Sequence, residues 1–163
     1  LLDGFSKTFA MTGWRLGYAA LPAALVPAFS RLIINSVSCT SAFSQHAAIA
    51  ALTGPWEPVD AMVKEFRQRR DVVVEGLNRI PGVSCVEPGG AFYVFPSVKE
   101  LGLPSKTIED WLLDQAGVAC LSGTSFGRYG EGYLRLSYAN SVENLRAALV
   151  ALGATVAELS SRT

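Results

Sequence analysis

Lys7 and Arg15 stand in the stretch DGFSKTFAMTGWRLGY, residues 3–18, among small, apolar and hydroxyl-bearing neighbours. Lys7 lies between Ser6 and Thr8 with Phe5 and Phe9 beside them, a setting that would take an ammonium partly out of water. Desolvation disfavours the charged form, and a neutral amine is the nucleophile that condenses with an aldehyde. Arg15 carries a rigid fork of donors suited to a phosphate or carboxylate, and Gly13 lets a ligand or a backbone come close. The same spacing also suits a surface lysine beside a strand and an arginine in an ordinary ion pair. A third cation, Arg135, sits between Leu134 and Leu136 in GYLRLSYA. A lone guanidinium among apolar neighbours needs an anion, either a planar carboxylate ligand or a buried Asp or Glu. Gly89 and Gly90, in EPGGAFYVF, permit a sharp turn and a close backbone approach, or simply lead into a buried strand.

The elements that must position these residues follow from apolar spacing. Residues 1–20 read as a strand end, a loop holding Lys7, and a second strand, WRLGYAAL. Leu25, Phe29, Leu32 and Ile33 give a helix over 22–35, provided Pro27 lies in its first turns. Ser41 can cap a second helix, AFSQHAAIAAL, that Gly54 and Pro55 end. A long amphipathic helix follows from about Glu57 to Ile80, with Val59, Met62, Val63, Phe66, Val73, Leu77 and Ile80 as its seam and KEFRQRRD as its wet face. Pro81-Gly82 stops it. Short strands come next, in VSCVEP, AFYVFPSV, VACLSG and GYLRLSYA. A helix over 105–116 turns Ile108, Trp111 and Leu112 to one side. A last helix, 142–158, has Ser141 as its cap, Glu143 in its first turn, and Leu145, Ala148, Leu149, Leu152 and Val156 inward.

Half of the residues are hydrophobic and 17% are charged, the composition of a chain that buries a core. The 14 basic and 14 acidic residues cancel, so no global field draws nucleic acid or an anionic membrane. Pro22 and Pro27 break the longest greasy stretch, so no membrane span is expected. The start LLDGFSK has no methionine and reads as the end of a strand, which implies a fragment of a longer protein. Cys39, Cys85 and Cys120 suit reduced, mostly buried thiols in the cytoplasm, and the single His46 makes a metal site improbable. His46, Trp14, Trp56 and Trp111 read as packing groups, RQRR at 67–70 as a solvated helix side, and Arg128 as a solvated loop residue.

GFSKTFAMTGWRLG, Gly4 to Gly17, resembles the cofactor-attachment signature of the class I and II pyridoxal-phosphate-dependent aminotransferases. The match runs through Gly4, Ser6, Lys7, Ala10, Gly13, Arg15, Leu16 and Gly17. EPGGAFYVFPSV resembles the family's glycine turn beside the substrate, and GVACLSGTSFGRYGEGYLRLSYANSVENL the region whose arginine clamps the amino acid's α-carboxylate. The resemblance implies that Lys7 is catalytic and joins pyridoxal 5'-phosphate as a Schiff base. It implies that Arg15 holds the cofactor's phosphate, and that Arg135 and Gly90 bind the substrate. Many relatives place a phosphate-binding serine where this chain has Gly4, so Ser6 is either a phosphate contact or a small packing residue.

The resemblance covers the whole chain but corresponds to the C-terminal portion of a fold type I α/β enzyme. Residues 1–54 would be the edge of the large cofactor-binding domain, 55–80 a linking helix, and 81–163 a small α+β domain. The implied protein is a cytoplasmic homodimer that moves an amino group from an L-amino acid to a 2-oxo acid. A lyase or synthase of the same fold is the alternative, as is a binding module without catalysis. The 163 residues alone are expected to be inactive. The groups that relatives place on the pyridine ring belong to a preceding half.

Overall fold

Lys7 and Arg15 hang from one small antiparallel ladder. In the computed structural model, which describes residues 1–161, Leu2–Gly4 (β1) pairs with Gly17–Ala19 (β2), Leu2 opposite Ala19 and Gly4 opposite Gly17. Gly4 passes directly into a single helical turn, Phe5–Thr8 (α1), so Lys7 sits on a helical turn where a loop was expected. The second strand starts at Gly17 and not at Trp14. Thr12–Trp14 winds into a 3₁₀ turn and Arg15 takes φ 52° and ψ 52°, a left-handed conformation that ends any strand before it.

Val26–Val37 (α2) carries Pro27 in its first turn, where the missing N–H leaves no helical bond unmade. Ala42–Thr53 (α3) ends at Gly54 as expected. Ser41 has an extended backbone at its start, but its hydroxyl caps no N–H group. The residue is exposed, so water can take that role. The chain divides into two units, Leu1–Met62 and the stretch from Val63 onward. The first unit is centred on buried Phe5, Met11 and Ala48, with Phe9, Leu16, Ala47 and Ala51 against them.

Glu57–Asn78 (α4) straddles the division. Its seam is only partly inward: Val59, Val73 and Leu77 are buried, as is Ile80 beyond its end, whereas Val63 remains 44% exposed. VSCVEP does not form a strand of its own and offers only a bridge from Ser84 to Ser97. The side-chain amide of Asn78 explains this, because it donates to Cys85 O (2.9 Å) and accepts from Cys85 N–H (2.8 Å), replacing a neighbouring strand.

Tyr93–Val94 (β3), Leu121–Ser122 (β4) and Leu134–Ser137 (β5) form an antiparallel sheet ordered β3-β5-β4. Ser105–Ala116 (α5) and Val142–Ser160 (α6) complete the second unit. Val94, Pro96, Val98, Ser122 and Leu134 are buried. They are clustered with Leu77 of α4, Ile108 and Leu112 of α5, and Leu145, Leu152 and Val156 of α6, apart from Pro96 and Ser122. Each such aliphatic side chain contributes about 1.5–3 kcal/mol when fully buried. The strand period of two therefore sends Tyr93, Phe95, Tyr133 and Arg135 to the opposite side of the sheet.

Two long-range devices fix the loop before β5. Glu131 Oε1 accepts from the N–H of Ser105 (2.8 Å) and from its hydroxyl (3.0 Å), capping a helix 26 residues away. Gly123 and Gly130 pack backbone to backbone, and a Cβ on either would collide with the other's carbonyl oxygen. Ser141 caps α6 as expected, its Oγ accepting from Asn144 N–H at 3.2 Å. Among the described residues no helix is long and apolar enough to cross a membrane.

Candidate active site

The β1–β2 connection is pinned from below by Phe5 and Met11, which are 2% and 9% exposed. Met11 N–H and Phe9 N–H both donate to Phe5 O at 3.3 Å, and Phe5 N–H donates across the ladder to Leu16 O at 3.2 Å. To bring Met11 back onto Phe5 the chain reverses at Ala10, which takes φ 53°. A non-glycine residue there costs about 1–2 kcal/mol, as does Arg15. Such strain persists only where the surroundings over-determine it, and it gathers at functional sites.

Lys7 stands exposed on this connection, while Phe5 and Phe9 turn their rings to each other (5.5 Å) and Phe9 to Trp56 (5.5 Å). The desolvation suggested by its neighbours is thus not supplied by the described residues, because those rings are used in packing. Ser6 is half-buried, and its hydroxyl has no hydrogen-bond partner among the described residues. Arg15 is exposed and donates from Nη1 to Thr12 O at 3.1 Å. No carboxylate lies within ion-pair reach of it among the described residues. An open cavity of about 790 Å³ lies beside Arg15, lined also by Gly13, Trp14, Thr40, Ser41 and Phe43; Lys7 is not part of its lining. An amine, a hydroxyl and a guanidinium, all on one short connection, are the groups that could hold a ligand carrying both an aldehyde and a phosphate.

In the second unit Arg135 occupies the middle of β5, opposite Leu121. Its guanidinium carbon lies 4.5 Å from the centre of the Tyr93 ring and 4.6 Å from that of Phe126. It is half-buried, and among the described residues no Asp or Glu pairs with it. The internal ion pair left open by the sequence is therefore absent among those residues. Two rings fix the plane of the fork and leave its N–H groups for a ligand. Tyr93 belongs to this arrangement through the alternation of its strand, which places it on the same side as Arg135. Phe126 comes from a 3₁₀ turn, Gly123–Phe126, that carries no such pattern.

Gly89 and Gly90 precede β3. Neither needs a left-handed backbone, and a Cβ on either would meet nothing within 4 Å. The sharp conformation expected of the pair falls instead on Ala91, at φ 62°. Packing among the described residues thus gives no reason for glycine at 89 and 90. Lys7, Ser6 and Arg15 belong to the first unit, Gly90 and Arg135 to the second.

The remaining candidates are plainer. His46 is exposed on α3, and Arg128 is exposed and donates to the hydroxyl of its neighbour Tyr129 at 2.6 Å. Trp14 and Trp56 are 45% and 47% exposed, so they pack less than expected; they lie edge-on to Phe43 and Phe9. In RQRR, Arg69 and Arg70 are half-buried and paired with Glu65, Asp71 and Glu87. Cys85 is buried and Cys120 half-buried, but Cys39 is exposed, at the junction between α2 and α3. Among the described residues no His, Cys, Asp and Glu cluster could hold a metal ion.

Residues 1–152 match the family model described as aminotransferase class I and II. The chain is 45% identical over 147 residues to the aspartate aminotransferase of Pyrococcus horikoshii, covering 89% of this chain and 38% of that protein. It is 43% identical over 150 residues to the aromatic-amino-acid aminotransferase 2 of Thermococcus litoralis, covering 91% of this chain and 38% of the relative. The crystal structure of the aromatic aminotransferase from Pyrococcus horikoshii superposes with a TM-score of 0.93 at 41% identity, over 96% of this chain and 42% of that one. The chain thus spans about two fifths of the length of these relatives. Its fold is a part of the fold type I architecture, and with a family match running from its first residue to Leu152, the chain belongs to the class I and II aminotransferases.

Proposed function

We propose that the protein containing this chain moves an amino group from an L-amino acid to a 2-oxo acid, with pyridoxal 5'-phosphate as cofactor. The observation that carries this reading is Arg135: a half-buried guanidinium held between Tyr93 and Phe126, with no anionic partner among the described residues. An α-carboxylate completes it. The relatives support the reaction class, being named as aspartate and aromatic aminotransferases.

Bound pyridoxal phosphate supplies an electron-accepting ring that stabilises negative charge at the substrate's α-carbon. Lys7 Nζ would hold the cofactor through its aldehyde, and as a free amine it would take up and give back the substrate's α-proton. Arg15 and Ser6 bind the phosphate. Arg135 takes the α-carboxylate through two parallel N–H donors, which fixes how that end of the substrate is held. The open backbone at Gly90 lets the substrate lie close to the turn. Residues 1–54 serve as the edge of the large domain, 55–80 as the linking helix and 81–163 as the small domain. The whole protein works as a cytoplasmic homodimer.

The test is an amino-transfer assay on the whole protein, with 2-oxoglutarate as acceptor. Conversion of the donor amino acid to its 2-oxo acid with matching glutamate formation is expected. Release of pyruvate and ammonia without glutamate would assign the same site to a lyase instead.

A further inference from the structure

We infer that Tyr138 is a positioning residue for this reaction: it holds the Gly89–Ala91 turn and, through Tyr93, the plane of Arg135. This rests on the substrate role proposed for Arg135 and Gly90.

Tyr138 follows β5 directly and is 2% exposed. Its hydroxyl donates to Ala91 O at 2.9 Å, and its backbone N–H donates to Phe92 O, also at 2.9 Å. One residue thus grips two consecutive carbonyls at the exit of the turn. The ring itself is fixed edge-on against Phe66 at 6.2 Å, so the hydroxyl cannot wander. Burial pushes this phenol above its ordinary pKa, and it remains a donor throughout the neutral range.

The turn needs such a tether. Ala91 is left-handed at φ 62°, and among the described residues the N–H groups of Gly89, Gly90 and Ala91 donate to no backbone carbonyl. Behind it lies a cavity of about 250 Å³, lined by Phe66, Arg67, Arg70 and Tyr138, so close packing does not hold the turn in place. An upstream tether runs from Arg70 Nη1 to Glu87 at 2.8 Å, and Glu87 is largely exposed, which makes it weak; downstream, the Phe92 ring packs on Phe66 at 6.0 Å. Two residues after Ala91 comes Tyr93, whose ring covers the Arg135 guanidinium. A phenylalanine at 138 would fill the same buried place and lose the hydrogen bond to Ala91 O.

Tyr138→Phe tests this through two readouts. The first is elastase cleavage after Ala91, followed by mass spectrometry. It should run at least fivefold faster in the variant, with cuts elsewhere in the second unit unchanged. The second is steady-state kinetics of the cofactor-loaded whole protein, where KM for the amino acid should rise at least threefold with kcat within twofold. Unchanged cleavage after Ala91, an unchanged KM, or an even rise in cleavage across the second unit each overturns the positioning role. Absence of amino transfer by the unaltered protein would instead remove the proposed function, and the cleavage readout would then decide the tether by itself.

Discussion

From Val73 to Val156 the chain closes a continuous core that draws on three helices and the sheet, whereas Leu1–Met62 gathers only Phe5, Met11 and Ala48 into a buried cluster. No residue of α2 is buried, and Leu32, Ile34 and Val37 are each more than 60% exposed. The two candidate sets are correspondingly different. Arg135 rests on a sheet whose other face is filled, while Lys7 and Arg15 rest on a strained connection pinned by two side chains. The difference is that, within this chain, the left-handed backbones at Ala10 and Arg15 stand beside a small buried cluster, whereas Arg135 stands on a filled sheet.

The most severe way to break this contrast is to delete matched side chains. Leu112→Ala, at a position with 0% exposure, should destabilise the chain by about 2–5 kcal/mol in urea unfolding. Ile34→Ala, at 63% exposure, should change stability by less than about 0.5 kcal/mol. Equal losses would erase the distinction. Next in size is Arg135→Ala, which should weaken amino-acid binding by the worth of a charged hydrogen-bonded pair, about 1.5–3 kcal/mol or roughly 10- to 100-fold in KM. Phosphate-dependent cofactor binding should stay as it was.

Glu131 sharpens the comparison by pH. The N–H and hydroxyl of Ser105, and the N–H of Gly132, hold its carboxyl below the usual range. A lowered folded value means the contribution is complete above the ordinary carboxylate value and is lost as pH falls through the folded one. The thermal midpoint of the second unit should therefore drop more steeply below about pH 4.5 in the native chain than in Glu131→Gln. A steeper acid limb in the variant would contradict the capping role.

The smallest effect is in thiol reactivity. Burial, with Glu109 nearby, pushes Cys120 up to about 11, and burial raises Cys85 as well, while Cys39 is exposed in the first unit. Iodoacetamide at pH 8 should modify Cys39 first, and similar rates at all three would blur the two units.

What the sequence made legible follows the same division. Ile108 and Leu112 marked α5 at its observed bounds because both are fully buried in the same core. The spacing of α2 was equally clear, yet it foretold an inward face that the described residues do not cover. Alternation in AFYVFPSV and GYLRLSYA located β3 and β5 and could have put Tyr93 beside Arg135. It also promised a strand at VSCVEP, which the Asn78 side chain pre-empts. Partners far apart in the chain left no local mark: Phe126 on Arg135, Glu131 on Ser105, and the Tyr138 hydroxyl on Ala91, 47 residues away. Lys7 and Arg15 were recognisable through a family signature more than through spacing, since neither their exposure nor the left-handed Arg15 is written in residue type.

The role of Lys7 carries the rest and can be measured directly. The whole protein, loaded with pyridoxal phosphate, is reduced with borohydride, digested, and its peptides mapped by mass spectrometry. The pyridoxyl group is expected on Lys7. Its appearance on Lys64, Lys99 or Lys106, or on no lysine of this chain, would contradict the proposed chemistry.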